Sequence, residues 1–167
     1  MPLVRRICFV CQGNIIRSPL AKNLFIKMAE EAGLAGRFEV DSAGTDDYHV
    51  GQSPDGRMQR VAARHGLTYD GRARQFQYPD LDYFDLILAM DTANRSDLRS
   101  LADTPQQRAR IHLLREFDPK GGAGVSVPDP YYGSADGFEE VYQVIERSVR
   151  GLIEALEQGA AWPSPGL

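Results

Sequence analysis

Ile7-Cys-Phe-Val-Cys11-Gln-Gly-Asn-Ile-Ile-Arg17-Ser-Pro-Leu20 is the stretch that decides the fold. Its first part closes an apolar, β-rich run, and residues 4–10 (VRRICFV) predict a strand. Its last part opens a helix. Across residues 18–32, Leu20, Ala21, Leu24, Phe25, Met28 and Ala32 recur at helical spacing, Pro19 suits a first turn, and Gly33 signals the stop. A strand that passes through one short loop into a helix is the opening unit of an α/β domain.

The same alternation continues outward. Residues 38–41 predict a short strand, 55–64 a helix closing at His65-Gly66, 85–90 (DLILAM) a buried strand, 92–101 a helix and 111–114 a further strand, with a Gly-rich loop at 120–124. In the last helix Asp136 and Glu139 fit a capping box, with Asp in place of Ser or Thr. Phe138, Val141, Tyr142, Ile145, Val149, Leu152, Ile153 and Leu156 form its apolar stripe. Two prolines and two glycines in residues 159–167 predict a frayed tail. Four strands alternating with helices imply a doubly wound four-stranded parallel sheet covered on both faces, in a single domain of residues 1–167.

Composition limits the functional classes. A chain of 167 residues buries roughly 70% of the surface that it exposes when unfolded, and needs neither disulfides nor a structural metal. A net charge of -4 argues against a general nucleic-acid binder. No apolar run approaches the ~18 residues of a membrane span, and the stretch at 7–10 is too short for a signal-peptide core. The expectation is a cytoplasmic protein without membrane or nucleic-acid partners, monomeric by default. Cys8 and Cys11 are too close to staple a fold, and in a cytosolic protein suggest chemistry or simple burial.

Ligands of doubly wound sheets bind outside the carboxyl ends of the strands, and Cys11 to Ser18 lies at such an end. Gly13 and Asn14 tolerate the backbone angles of a tight turn. Successive backbone N–H groups of Gln12, Gly13, Asn14, Ile15 and Ile16 can then form an anion cradle, and the helix N-terminus adds partial positive charge. Such a field stabilises negative charge on a phosphate or on a thiolate. Arg17, six residues after Cys11, can grip two phosphate oxygens, and Ser18 can donate to the thiolate. Cys, five residues and Arg recur by chance, and even with the strand–turn–helix placement a βα turn with a buried Cys and a surface Arg fits equally well.

With its neighbouring motifs, the chain resembles the low-molecular-weight protein tyrosine phosphatases over nearly its whole length. Residues 9–19 (FVCQGNIIRSP) look like that family's phosphate loop, and 40–45 (VDSAGT) like its second strand and turn. Gly51-Gln-Ser-Pro-Asp-Gly-Arg57, Ala73-Arg-Gln75, Met90-Asp91 with Asn94, and Val127-Pro-Asp-Pro-Tyr-Tyr-Gly133 match further motifs. The resemblance implies a flavodoxin-like strand order and a protein-tyrosine phosphatase that acts through a phosphocysteine on Cys11, with Arg17 as clamp. It implies Asp129 as general acid, an assignment that spacing alone does not make. Tyr131 and Tyr132 resemble the aromatic residues at the pocket mouth, with Tyr48 as an opposing wall, which favours phosphotyrosine proteins or small aryl phosphates as substrates and inorganic phosphate as product. No metal or other cofactor is called for. Asn14 and Ser42 match positions that brace the loop.

Two departures stand out. Gly71 occupies a position where many members carry a His, which predicts a loop lacking one strut and somewhat more mobile. Ile16 occupies a position where eukaryotic members often carry a Cys, so a protective disulfide there is not available. Cys8 and Cys11 spell C-x-x-C, but strand alternation turns them to opposite faces and predicts a packed, inert Cys8. His49 is a candidate lining residue, whereas His65 and His112 suit surface or core roles. Two rival readings remain open at this level. Arsenate reduction by a thiol relay lacks any cysteine beyond Cys11, although a glutathione-dependent form stays open. A phosphopeptide-binding module without turnover would need neither a thiolate nor a proton donor.

Overall fold

The computed structural model describes residues 4–131 and 133–159. Four parallel strands form one sheet in the order β2-β1-β3-β4: β1 (Arg6–Cys11), β2 (Glu39–Gly44), β3 (Leu86–Ala89) and β4 (Ile111–Leu113). The order is that of a flavodoxin-like doubly wound sheet. β1 lies at the centre, with Cys8 opposite Asp41 on one side and Ile87 on the other. Its side chains alternate. Ile7, Phe9 and Cys11 enter the apolar layer beneath α1 (Arg17–Glu31), α2 (Gly56–Arg64) and α6 (Ala135–Glu157). Cys8 and Val10 enter the opposite layer, with Leu81 of α3 (Asp80–Tyr83) and Leu98 of α4 (Thr92–Leu101). The two free thiols therefore sit on opposite faces, and burial raises the Cys8 thiol well above its ordinary pKa.

Several sequence-level boundaries shift. β2 continues to Gly44, because its pairing with β1 persists as far as Cys11 opposite Gly44. The strand at 111–114 gives way after Leu113 to a 3-10 turn, Leu114–Phe117. In α1 the buried stripe ends on Ala29, and Ala32 is the exposed C-cap. The short helices α3 and α5 (Pro105–Ala109) were invisible to periodicity, since each is about one turn long. α6 starts one residue before Asp136. Its N-cap is Ser134, which makes no side-chain capping bond, so Asp136 and Glu139 do not form a capping box. Glu139 instead pairs with His65 at the end of α2. The tail at 160–167 lies outside the described residues.

α6 packs against α1 and α2, and it approaches the turn after β4 most closely at one glycine. Gly151 packs so close to the Leu114–Phe117 turn that a Cβ there would lie 1.9 Å from the Phe117 carbonyl oxygen. Beside it, the buried Asp118 carboxylate accepts from Arg147 at 2.6 and 3.0 Å, from Arg115 at 3.1 Å and from the Lys120 N–H at 2.9 Å. Although burial opposes ionisation, these donors outweigh it and hold Asp118 below the usual carboxylate range. No helix among the described residues is long and apolar enough to cross a membrane.

Candidate active site

The loop from Cys11 to Arg17 crosses the carboxyl end of the central strand and is held on several sides. Past β2, the Thr45 and Asp46 amides donate to the carbonyls of Cys11 and Gln12, at 2.9 and 3.1 Å. Ahead of α2, the Asp55 amide donates to the Ile15 carbonyl at 2.8 Å. The sharpest backbone turn falls on Asn14, at φ 58°. Asn tolerates this angle better than most residues.

That amide is fully engaged. Its Oδ1 accepts the Arg74 N–H at 2.9 Å, which fixes its orientation. Its Nδ2 donates to Ser18 at 2.8 Å and to Ser42 at 2.9 Å. Ser18 Oγ lies 3.1 Å from Cys11 Sγ, and the Asn14 N–H donates to the same sulfur at 3.3 Å. Ser18 already accepts from Asn14, so its own proton can go to the sulfur or to the Ala43 carbonyl at 3.4 Å, and a Cys11 thiolate is the stronger acceptor. Asn14 thus offers its backbone to the loop interior and its side chain to the bracing behind it, where Ser42 also sits.

Gly13 is needed for a reason other than turn geometry. Its backbone has no left-handed angle, but an added Cβ would meet the His49 ring at 2.8 Å. Gly71 does have such an angle, φ 132°, so a His could not replace it without strain. A crevice of about 40 Å3 opens there, behind the loop, between Gly71, Asn14 and Ser42.

In front of the loop lies a cleft of about 460 Å3, within the usual range for a small-ligand site. Cys11, Gln12, Gly13, Ile15, Ile16 and Arg17 form its floor. Asp129 lines it from the loop before α6, while Tyr48, His49 and Tyr131 form its aromatic walls. Tyr48 is 80% exposed and packs edge-on against His49, whose ring centroid lies 5.9 Å from that of Tyr131. His49 therefore stands between the two tyrosines. Tyr132 lies outside the described residues.

Arg17 is the largest fully buried side chain among the described residues, 2% exposed. Its Nη1 donates to Asp91 at 2.7 Å and to the Val127 carbonyl at 2.9 Å, and its Nη2 reaches Asp129 at 3.4 Å. The Val127 N–H in turn donates to the Met90 carbonyl, just past β3, at 2.7 Å. Asp91 also caps α4 by accepting the Asn94 N–H at 2.7 Å. Sequence reasoning noted the Asp91 motif but assigned it no task. Its place directly after a strand, at the ligand-binding edge of the sheet, was the available signal.

A buried guanidinium, a sulfur beside the Asn14 N–H and the Ser18 hydroxyl, and a carboxylate at the cleft wall form an arrangement that can hold a tetrahedral oxyanion. In keeping with this, a model of the low molecular weight phosphotyrosine protein phosphatases matches residues 6–161, and the chain belongs to that family of hydrolases. A low molecular weight protein-tyrosine-phosphatase of Streptomyces coelicolor is 45% identical over 92% of this chain and 94% of its own length. The human low molecular weight phosphotyrosine protein phosphatase is 38% identical over 90% and 94%. Among solved structures, a protein tyrosine phosphatase from Entamoeba histolytica with Hepes in the active site superimposes with a TM-score of 0.87, at 36% identity, covering 93% of this chain and 98% of the other.

Proposed function

We propose that this protein hydrolyses phosphotyrosine in proteins, and small aryl phosphates, through a phosphocysteine intermediate on Cys11. The observation that carries the reading is the placement of Cys11 Sγ, between the Asn14 N–H and the Ser18 hydroxyl, on the floor of the cleft walled by Asp129.

In the first step the Cys11 thiolate attacks phosphorus. The S–P bond forms as the P–O bond to the phenol breaks, and Asp129 gives its proton to the departing oxygen. Arg17 and the loop N–H groups of Gln12, Gly13, Ile15 and Ile16 hold the three equatorial oxygens, where charge is spread in the transition state. In the second step Asp129, now a carboxylate, takes a proton from water. The oxygen attacks phosphorus, the S–P bond breaks, and the thiolate returns to the donors of Asn14 and Ser18. Inorganic phosphate leaves. Tyr48, His49 and Tyr131 sandwich the aryl ring, which favours aryl over alkyl esters. We read the protein as a cytoplasmic monomer; its net charge of -4 favours solubility.

Steady release of phosphate from para-nitrophenyl phosphate tests the reading. Cys11→Ser should abolish turnover and keep phosphate binding. Asp129→Ala should slow esters of basic leaving groups most. A wild-type protein that binds phosphate but releases none from any aryl ester would overturn the proposal.

A further inference from the structure

Arg57 belongs to a matched motif, yet the reaction as written does not use it. We infer that Arg57 is a positioning residue, a strut that ties the Asp129 loop to the phosphate loop and sets the orientation of the general acid. The inference rests on the phosphatase reading above.

The strut is continuous from one loop to the other. Asp55 is pinned to the phosphate loop through its amide and the Ile15 carbonyl, at 2.8 Å. Its carboxylate receives Arg57 three times: from the backbone N–H at 2.8 Å, from Nε at 3.1 Å and from Nη2 at 2.8 Å. This forked pairing fixes the plane of the guanidinium. The remaining nitrogen, Nη1, donates to the Tyr131 carbonyl at 2.7 Å. The Tyr131 N–H donates to Asp129 Oδ1 at 3.0 Å. The guanidinium also lies over the rings of Tyr131 and Phe138, at 5.2 and 4.7 Å from their centroids.

Arg57 therefore grips the residue whose own amide holds Asp129, and it does so from a base fixed to the loop that carries Cys11. Asp129 Oδ1 is held from this side, while Oδ2 faces Arg17. A proton donor must sit within hydrogen-bond reach of the leaving oxygen, so releasing the strut should weaken proton donation more than nucleophilic attack.

The test compares kcat/KM on phenyl phosphate, whose leaving group needs a proton, with 2,4-dinitrophenyl phosphate, whose leaving group does not. Arg57→Met should lose about tenfold on the first and no more than about twofold on the second, with inhibition by inorganic phosphate unchanged. In an Asp129→Ala background the same substitution should cost nothing further on either ester. Arg57→Lys, which keeps a donor but not the fork, should recover part of the loss and supplies the same comparison if Arg57→Met does not fold. Equal losses on the two esters, no loss on either, or a further loss in the Asp129→Ala background would overturn the inference. An inactive wild-type protein would instead overturn the phosphatase reading.

Discussion

Arg17 and Asp91 form a buried ion pair, Nη1 to Oδ2 at 2.7 Å, that joins the start of α1 to the start of α4 across the top of the sheet. The arginine is almost wholly enclosed and the carboxylate is only 22% exposed. Removing one partner of such a pair strands the other away from water, which is costly.

Asp91→Asn preserves an oxygen to cap α4 and removes the charge beside Arg17. It should lower stability by about 1–3 kcal/mol in phosphate-free buffer. Phosphate would give Arg17 its missing partner, so phosphate should raise the thermal midpoint of the variant more than that of the wild type. Activity should fall roughly tenfold to a hundredfold in kcat/KM, because the clamp is less well oriented. A phosphate-induced thermal shift no larger than in the wild type would contradict this account.

Asn14 combines a strained angle with three side-chain bonds, and two substitutions separate them. Asn14→Gly keeps the angle accessible and removes the amide, at about 1 kcal/mol per lost bond. Asn14→Ala adds about 1–2 kcal/mol for a left-handed residue with a Cβ. Urea unfolding should therefore rank wild type above Asn14→Gly above Asn14→Ala. Both variants should lose activity, since Ser18 is freed from the contact that directs its proton to Cys11.

Gly151→Ala should destabilise the protein although alanine is the better helix former. Propensity favours the change by about 1 kcal/mol. Against that, the new methyl would meet the Phe117 backbone carbonyl, which cannot swing aside as a side chain could, and overpacking costs about 1–3 kcal/mol or more. Denaturant midpoints should fall, while kcat per folded molecule should be retained, as neither residue touches the cleft.

Asp118 makes stability depend on pH. Its folded pKa lies below its unfolded value, so its contribution is present above the unfolded value of about 3.9 and is lost as pH falls through the folded one. Asp118→Asn should cost about 2–3 kcal/mol near neutral pH, because Arg147 and Arg115 lose a charged acceptor. The gap between wild type and variant should narrow steadily below about pH 4. A gap that stays constant from pH 7 to pH 2 would show that the carboxylate charge is not what holds α6 to the turn.

The alternation of strand and helical periods was enough to reveal the sheet and its connections. Residues 7–20 alone placed a thiol and an arginine at the carboxyl end of a strand, because side-chain period and turn chemistry are local properties. One-turn helices such as α3 and α5 carry too few residues for a period, and the N-cap of α6 depends on how the preceding loop arrives. What distinguished Gly13 from Asn14 was also tertiary: the first yields to the His49 ring, and the second takes the left-handed angle. The partners of Arg17 lie 74 and 112 residues away, at Asp91 and Asp129, and Arg57 reaches Tyr131 across 74. Pairings at that separation leave no local pattern, since they exist only once the strand ends have been brought to one edge. The sequence by itself determined a loop suited to an anion, with a thiol at its start. Only the folded chain decided which carboxylates face the buried arginine and what holds the Asp129 side chain in place.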